Sequence, residues 1–365
     1  MRTALTGAGG FLGWHTRVAA RSMGYGMQPV RVGARYCQQD AVAAVSGSSR
    51  VLHLAGVNRG SDAAVHDGNV QFAAQLAETL RRVPSPPKAV VYANSVQAGN
   101  ATPYGQSKAE AADILQAAAA SVGADFTDVL LPNLFGEQGR PFYNSVVATF
   151  CHLLNEEETP QVLDDKELDL LHAQDAADIL LGCVAPEEME SLTVSRTVSA
   201  VLHQLQHIAC VYRDGDIPAL ESNFDAAMFN TYRSFRLRYP DKLPFALDRR
   251  ADSRGSFFEV CRSRGGEGQT SFSTTRPGVT RGQHFHRRKV ERFVVLSGKA
   301  EIAMRCLFDG TVLRFAVDGD EPVAIDMPTL WAHSIENTGS ADLYTMFWAN
   351  GLFDPCRPDT FSEQV

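Results

Sequence analysis

The first 240 or so residues alternate short apolar runs with helical patterns. Residues 51–55 and 89–93 are apolar runs of strand length. Between them, residues 70–82 place an apolar side chain at every fourth position, which predicts a helix with one buried face, and a second helix is predicted over 108–122. Strands that alternate with helices at this rhythm predict a Rossmann-like α/β domain with a doubly wound parallel sheet.

The pattern changes near residue 245. Beyond it come short β-rich runs at 257–260, 292–296, 300–304 and 343–348, separated by Gly, Pro and Asp turns. This spacing is typical of an antiparallel all-β barrel or sandwich. A chain of 365 residues is also too long for one ordinary core. We therefore predict two domains, residues 1–245 and 246–365.

Composition narrows the class of protein. Acidic residues outnumber basic ones by 42 to 34, a net charge of −8, which argues against a nucleic-acid-binding protein but leaves room for an anionic substrate. No apolar run approaches the ~18 residues that span a bilayer, so no membrane insertion is expected. The first residues are needed as a strand, which leaves no room for a signal peptide, and the seven cysteines form no paired motif. A cytoplasmic protein with reduced thiols is expected.

A glycine turn follows the first predicted strand. Gly7, Gly10 and Gly13 stand where a strand passes into a helix, and glycine there lets the backbone approach a pyrophosphate at the helix N-terminus. Such a turn also occurs for structural reasons, but its place in the first strand–helix turn of an alternating fold favours a dinucleotide site.

The segment after the second strand selects the cofactor. An acidic residue there would bind a ribose hydroxyl, whereas an arginine suits a 2′-phosphate. Residues 30–35 contain no acid and two arginines, Arg31 and Arg35. NADPH is therefore predicted, with Arg35 as its contact; the alternative is a solvated surface arginine.

Tyr104 and Lys108 lie four residues apart at the start of a predicted helix, so they share a face. A ketone that accepts a hydride needs a proton on its oxygen. A phenol can donate that proton if a nearby ammonium stabilises the phenolate. The pair occurs often by chance, but together with the glycine turn it indicates a reductase.

These motifs resemble the extended short-chain dehydrogenase/reductase family, which usually acts on nucleotide sugars. The match includes residues 6–13, 53–56, 132–136 and 175–177, with Asn69, Tyr104 and Lys108. The resemblance implies a catalytic Ser95 beside Tyr104 and Lys108, although Ser95 precedes Tyr104 by only nine residues and could be a strand-end turn residue. It also implies that Asn133 binds substrate near its phosphates. The cofactor contacts that it implies are Thr6, Gly7, Gly10, Phe11, Leu12, Gly13, Leu54, Ala55, Gly56, Tyr104 and Lys108.

The C-terminal part contains a candidate metal site. His284 and His286 are two apart in a β-rich segment and would share a face, Glu291 begins the next strand, and His333 arrives much later. Three imidazoles and a carboxylate suit Zn²⁺ and, less well here, Fe²⁺ or Mn²⁺.

The spacing of these residues resembles the cupin family, a β-barrel fold. Gly278, the two histidines, Glu291 and Gly298 match its first motif, and residues 328–333 with Asn337 match its second. Leu330 stands where cupins usually have glycine. Residues 252–259 also resemble the entry strand of cupin-type sugar epimerases, where Arg254 would contact a phosphate or only brace the barrel. Whether the metal is catalytic or structural stays open.

The whole chain resembles one family, the bifunctional CapF-type enzymes of capsular polysaccharide and O-antigen biosynthesis. Residues 53–59, 143–146, 353–355 and 358–360 carry this resemblance beyond the general motifs. It implies C3 epimerisation in the cupin and NADPH-dependent C4 reduction in the reductase. The substrate would be a UDP-2-acetamido-2,6-dideoxy-4-keto hexose, and the product, UDP-2-acetamido-2,6-dideoxy-L-talose, a precursor of UDP-N-acetyl-L-fucosamine. The substrate-contact candidates are Asn58, Arg59, Asn133, Tyr143 and Asn144.

Two other interpretations stay open. In one, only the reductase is catalytic and the cupin serves dimerisation, since cupin barrels commonly pair through their sheets and a homodimer is expected. In the other, the chain is an NADPH-sensing binding protein without turnover, which the Tyr104–Lys108 pair disfavours. The epimerisation base is not identified by the sequence; Lys289 is a candidate, and a solvated strand-end lysine is the alternative.

Overall fold

The computed structural model describes residues 2–239, 242–252 and 255–365, without the side chains of 251–257. Arg254 lies outside the described residues. The chain forms two compact units. The first comprises residues up to Phe135 with 142–145 and 166–197, and the second comprises 136–141, 146–165 and 198–365. Compactness thus places residues 198–245 with the second unit, and the division at 245, drawn from the change in pattern, stays a prediction.

The described helices and strands are numbered in chain order. The helices are α1 (Phe11–Ser22), α2 (Gln38–Val45), α3 (Asp62–Arg82), α4 (Pro103–Ser121), α5 (Val146–Asn155), α6 (Ala173–Leu181), α7 (Met189–Leu192), α8 (Val198–Arg213) and α9 (Asn223–Arg236). The strands of the first unit are β1 (Arg2–Thr6), β2 (Gly26–Val30), β3 (Arg50–His53), β4 (Ala89–Ser95), β5 (Asp125–Leu131), β6 (Asn133–Phe135), β7 (Glu167–His172) and β8 (Val194–Thr197). The strands of the second unit are β9 (Phe245–Ala246), β10 (Arg250–Asp252), β11 (Gly255–Phe257), β12 (Gln269–Thr275), β13 (Thr280–Phe285), β14 (Glu291–Ser297), β15 (Lys299–Cys306), β16 (Val312–Asp318), β17 (Val323–Met327), β18 (Trp331–Asn337), β19 (Leu343–Ala349) and β20 (Phe361–Ser362).

The first unit is a Rossmann-like, doubly wound domain. Its five-stranded parallel sheet has the order β2-β1-β3-β4-β5. Successive residues of β4 enter different cores: Val90 packs with α2, α3 and α4, whereas Val91 packs with α1 and α6. Both faces of the sheet are therefore buried, which explains why its strands read as continuous apolar runs. A three-stranded sheet, β6-β7-β8, completes the unit.

Both predicted helices begin earlier than their apolar periodicity indicates. The helix predicted from residue 70 starts at Asp62, capped by Ser61, whose side chain accepts from the backbone N–H of Ala64. The helix predicted from Lys108 starts at Pro103, capped in the same way by Thr102. The spacing of apolar residues does not mark where a helix begins, so the capping residues Ser61 and Thr102 define the true starts.

The second unit contains two five-stranded antiparallel sheets of cupin type, as predicted. Their orders are β12-β19-β14-β17-β9 and β16-β15-β18-β13-β20, with β10 and β11 as a separate hairpin. Helices α5, α8 and α9 pack together in the same unit. Arg292 is buried on β14 and forms a two-pronged ion pair with Asp326 of β17, which also accepts from Tyr212 of α8 at 2.6 Å. This buried network ties a helix to the sheet.

No helix in the described part of the chain is long and apolar enough to cross a membrane. That agrees with the absence of a long apolar run in the sequence.

Candidate active site and metal centre

The glycine turn between β1 and α1 has no room for side chains. Gly7 has φ +71, and a Cβ on it would lie 2.6 Å from the backbone nitrogen of Ala55. A Cβ on Gly13 would lie 2.1 Å from the carbonyl oxygen of Gly7. Gly10 closes the turn by donating its N–H to that carbonyl at 2.9 Å. The turn therefore presents the bare N-terminus of α1, which is the arrangement that holds a pyrophosphate.

Thr6 joins this turn to the end of β3. Its Oγ1 accepts from the backbone N–H groups of Leu54 and Ala55 at 3.1 and 3.2 Å and lies 2.9 Å from Nδ1 of His53. The cofactor contacts predicted at residues 6–13 and 54–56 therefore lie around one strand end. Their contact with a cofactor stays a prediction.

Tyr104, Lys108 and Ser95 come together at the end of β4 and the start of α4. Lys108 is buried, donates to the carbonyl of Ala93 at 2.8 Å and lies 4.1 Å from the centre of the Tyr92 ring. Burial raises the pKa of Tyr104, and the hydrogen bond with Ser95 offsets part of that increase. A phenol, an ammonium and a hydroxyl are thus placed as the sequence analysis predicts for proton donation to a ketone.

The charge of Lys108 depends on its surroundings. Burial lowers the pKa of Lys108 to about 7, and the carboxylate of Asp128 on β5 opposes that effect. Asp128 is itself held by Asn94, whose Nδ2 donates to it at 3.0 Å. On the side of β3, burial and then the charge of Lys108 lower the pKa of His53 to about 3, so His53 is neutral. Lys108 therefore changes charge near neutral pH, and Asp128 favours the charged form.

A cavity of about 350 Å³ lies beyond the end of β2. Its lining residues are Pro29, Arg31, Arg35, Cys37, Asp40 and Ala41. Both arginines are solvent-exposed, and Arg35 ends a single 3₁₀ turn that Gln75 fixes by accepting from the N–H of Gly33 at 2.6 Å. The guanidinium groups of Arg31 and Arg35 thus line one cavity, and contact of Arg35 with a 2′-phosphate stays a prediction.

Four of the five substrate-contact candidates form one group, three of them joined by hydrogen bonds and the fourth, Tyr143, by a ring contact. Arg59 donates to Oδ1 of Asn144 at 3.0 Å and lies 5.3 Å from the ring centre of Tyr143. Asn144 in turn donates to the carbonyl of Asn58 at 3.1 Å. Asn133 has a different partner, since its Nδ2 donates to the carbonyl of Asp169 at 3.3 Å.

His284, His286, Glu291 and His333 converge in the second unit. One ligand atom from each lies within 4.8 Å of the others. Nε2 of His286 is 2.9 Å and Nε2 of His333 is 3.7 Å from the same oxygen of Glu291. Three of the four residues are buried, and His284 is half-buried.

The protonation states of this cluster suit a cation. Burial, followed by the other two histidines, lowers the pKa of His284 to about 4, and burial also lowers the pKa of His333. Burial alone would raise the pKa of Glu291, but the nearby Nε2 atoms of His286 and His333 and the ammonium of Lys289 hold it well below its usual range. His284 and His333 are thereby kept neutral and Glu291 ionised, which are the forms in which these side chains bind a metal.

Two buried nitrogens support a metal at these residues. Nδ1 of His286 donates to the carbonyl of Asp359 at 2.6 Å, so in a neutral ring the lone pair is on Nε2 and faces Glu291. Nε2 of His333 is buried without a hydrogen-bond partner. A cation between these atoms and the carboxylate would satisfy both nitrogens.

Comparison with known proteins agrees with both halves. Residues 4–191 match the model of the NAD dependent epimerase/dehydratase family, and residues 250–361 match that of the polysaccharide biosynthesis C-terminal domain. The solved structure of the capsular polysaccharide assembling protein CapF from Staphylococcus aureus is 30% identical, with a TM-score of 0.63 over 100% of both chains. This chain is a CapF-type member of the NAD-dependent epimerase/dehydratase family.

Two further proteins are similar to this CapF-type chain. The UDP-2-acetamido-2,6-beta-L-arabino-hexul-4-ose reductase of Pseudomonas aeruginosa is 29% identical over 100% of this chain and 99% of its own. The UDP-glucose 4-epimerase of Thermotoga maritima is 16% identical, with a TM-score of 0.53 over 65% of this chain and 99% of its own, and shares the fold. The family model indicates a nicotinamide cofactor.

Two residues beside the reductase site of this CapF-type chain, Asn69 and Asp128, had no role assigned from the sequence. Buried Asn69 donates to the carbonyl of Val57 and, at 3.1 Å, to Ser107, which donates to the carbonyl of Tyr104. Asn69 thereby links the loop after β3 to helix α4. Its match to the family motif was the only signal, and Asp128 offered none because its partners are distant in sequence.

The backbone near the histidines also departs from a regular strand. A bulge between Gly282 and His284 leaves Gln283 at φ +59, and it precedes the two histidine ligands. Leu330 has φ +66, a left-handed conformation that glycine adopts without steric strain, and its N–H donates to the carbonyl of His286 at 2.7 Å. The turn is therefore kept despite the leucine, at a steric cost of about 1–2 kcal/mol.

Proposed function

We propose that this enzyme acts twice on a UDP-2-acetamido-2,6-dideoxy-4-keto hexose. The cupin unit epimerises C3, and the N-terminal unit reduces C4 with NADPH to give UDP-2-acetamido-2,6-dideoxy-L-talose. The product serves UDP-N-acetyl-L-fucosamine and capsule or O-antigen synthesis. The observation that carries the proposal is the full-length similarity to the reductase of P. aeruginosa, in a chain that keeps both candidate sites.

Tyr104 is the proton donor of the reduction. NADPH, when bound, supplies the hydride that reaches C4. Tyr104 gives its phenolic proton to the ketone oxygen, Ser95 donates a hydrogen bond to that oxygen, and the ammonium of Lys108 stabilises the phenolate left behind. Because Lys108 sits among Tyr92, Ala93 and Asp128, its charge is held at a defined place.

Arg35 binds NADPH, and Arg59 with its neighbours binds the sugar nucleotide. Arg35 lies in the cavity beyond β2 and would contact the 2′-phosphate of NADPH. Arg59, fixed by Asn144 and Tyr143, is a candidate for the sugar nucleotide, together with Asn58 and Asn133.

His284, His286, Glu291 and His333 would hold one metal ion, with Zn²⁺ preferred over the alternatives Fe²⁺ and Mn²⁺. A bound zinc ion would supply a positive charge that stabilises an enolate. The ketone at C4 acidifies the proton on C3, so a base can remove it and return it on the opposite face. Lys289 is a poor candidate for that base. Its Nζ lies 3.0 Å from the Glu291 carboxylate, and this ion pair favours the ammonium form, which cannot accept a proton.

The order of the two steps follows from their chemistry. Reduction removes the ketone and with it the acidity of the C3 proton, so the new configuration can no longer revert. A nearly balanced epimerisation is thereby drawn forward. We further propose a cytoplasmic homodimer that pairs through the cupin sheets.

The test is incubation with the 4-keto sugar nucleotide in D₂O, with and without NADPH, followed by NMR of the sugar ring. The proposal expects deuterium at C3 without NADPH and the reduced L-talo sugar with it. Reduction without C3 exchange would favour a reductase with a dimerising cupin. Binding of NADPH with no turnover would favour a sensor, and both results would contradict the proposal.

A further inference from the structure

Asp359 contacts the metal cluster with two different groups. Its carboxylate accepts from three consecutive backbone N–H groups, those of Arg287, Arg288 and Lys289, at 3.1, 2.8 and 2.7 Å. Its carbonyl oxygen accepts from Nδ1 of His286 at 2.6 Å. These four bonds span residues 286–289, the turn that runs from the ligand His286 towards the ligand Glu291.

We propose that Asp359 is a positioning residue for the metal site. It fixes the His286 ring in the tautomer that leaves Nε2 free for a metal, and it fixes the turn that leads to Glu291. The inference rests on the proposed metal centre. Groups that orient a ligating histidine through its second nitrogen tune metal affinity although they do not touch the ion.

The backbone of Asp359 makes both contacts possible at once. Its φ of +44 lies in the left-handed region, which aspartate and asparagine adopt more readily than most residues. Three N–H groups that converge on one carboxylate stabilise its charge and hold it in place. A side chain without an acceptor would release the turn, although the carbonyl oxygen would remain.

The segment that follows Asp359 keeps it in register. Phe361 of β20 pairs with Phe285 of β13, with ring centres 5.2 Å apart. Two residues later, the N–H of Glu363 donates to the carbonyl of Gln283 at 2.9 Å. The C-terminal segment is thereby attached to the strand that contains His284, so Asp359 is supported from a second direction.

The experiment compares three variants of the full-length protein. D359G tolerates the left-handed backbone conformation but removes the carboxylate, so the segment and its carbonyl are no longer held against His286, and D359N keeps one acceptor oxygen. D354G is the matched control, because Asp354 lies in the same segment and accepts from the N–H of Cys356 at 2.8 Å. Metal-free protein is titrated with Co²⁺, with its visible absorption as readout, and then with Zn²⁺ in competition.

We expect D359G to weaken metal binding about 10- to 100-fold, D359N about 3-fold or less, and D354G not at all. ¹⁵N NMR of histidine-labelled, metal-free protein should show His286 protonated at Nδ1 in the wild type and a mixture of tautomers in D359G. Equal affinity and equal tautomers in wild type and D359G would overturn the inference. If the wild type binds no metal, the proposed metal centre fails, while the tautomer spectra still decide the role of Asp359.

Discussion

The reductase site and the metal cluster differ in where their positive charge comes from. In the reductase site the chain supplies its own cation, Lys108, and buries it beside Tyr92. In the cluster the chain supplies three imidazoles and the ionised Glu291, and the cation must be recruited. A built-in cation loses its charge when the pH rises above its pKa. A recruited metal keeps its charge, and its presence depends on the affinity of the site instead.

This difference separates what controls each half. Burial brings the pKa of Lys108 to about 7, so the reductase should respond to pH. In the cluster, His284 and His333 are kept neutral and Glu291 is kept ionised, as a metal needs, so this half should respond to metal supply. The following changes test whether the two halves are controlled separately.

The largest effect is expected for Tyr104→Phe. Removing the proton donor should lower turnover of the 4-keto sugar nucleotide about 10²- to 10⁴-fold, measured by NADPH oxidation, while metal content stays unchanged. Tyr36→Phe is the control, since that hydroxyl bonds Thr79 at 3.1 Å. Near-normal turnover would exclude Tyr104 as the donor.

His284→Ala should act on the other half alone. Loss of one ligand should reduce zinc affinity more than about 100-fold, beyond the range for residues around the ligands, because a ligand itself is removed. Elemental analysis measures this, with His66→Ala, on helix α3, as the control. Undiminished metal would reject the ligand set, and a parallel loss of NADPH oxidation on a C3-epimerised substrate would contradict the separation.

Arg35→Ala should change cofactor preference by about 10-fold. One charge-assisted hydrogen bond to the 2′-phosphate is worth about 1.5 kcal/mol, so the KM for NADPH should rise while that for NADH stays the same. Arg31→Ala, on the same cavity, should have less effect. An unchanged ratio of the two KM values would mean that Arg35 is only a solvated surface residue.

Asp128→Asn should give the smallest effect, a shift in pH dependence. Asp128 raises the pKa of Lys108, so its neutralisation lowers that pKa and removes the ammonium at a lower pH. The fall in kcat above about pH 7 should therefore move to lower pH. Asp125→Asn, at the start of β5, is the control. A profile that moves up or stays in place would show that Asp128 does not support Lys108.

The patterns that predicted the fold are local. Alternating apolar runs indicated the doubly wound sheet, and short β-rich runs indicated the antiparallel sheets, because side-chain periodicity follows directly from each element's geometry. The candidate site residues were also found from short spacings, such as that between Tyr104 and Lys108. The helix starts at Asp62 and Pro103 were missed, since they are defined by the capping residues Ser61 and Thr102 and not by apolar periodicity.

The sequence by itself determined which chemical groups are available: a phenol and an ammonium on one helix face, and three imidazoles with a carboxylate at cupin spacing. Only the tertiary structure decided their states. The charge of Lys108 depends on burial and on Asp128, and the tautomer of His286 depends on Asp359, 73 residues away. Burial and long-range hydrogen bonds arise from packing between distant segments, and no local pattern records them.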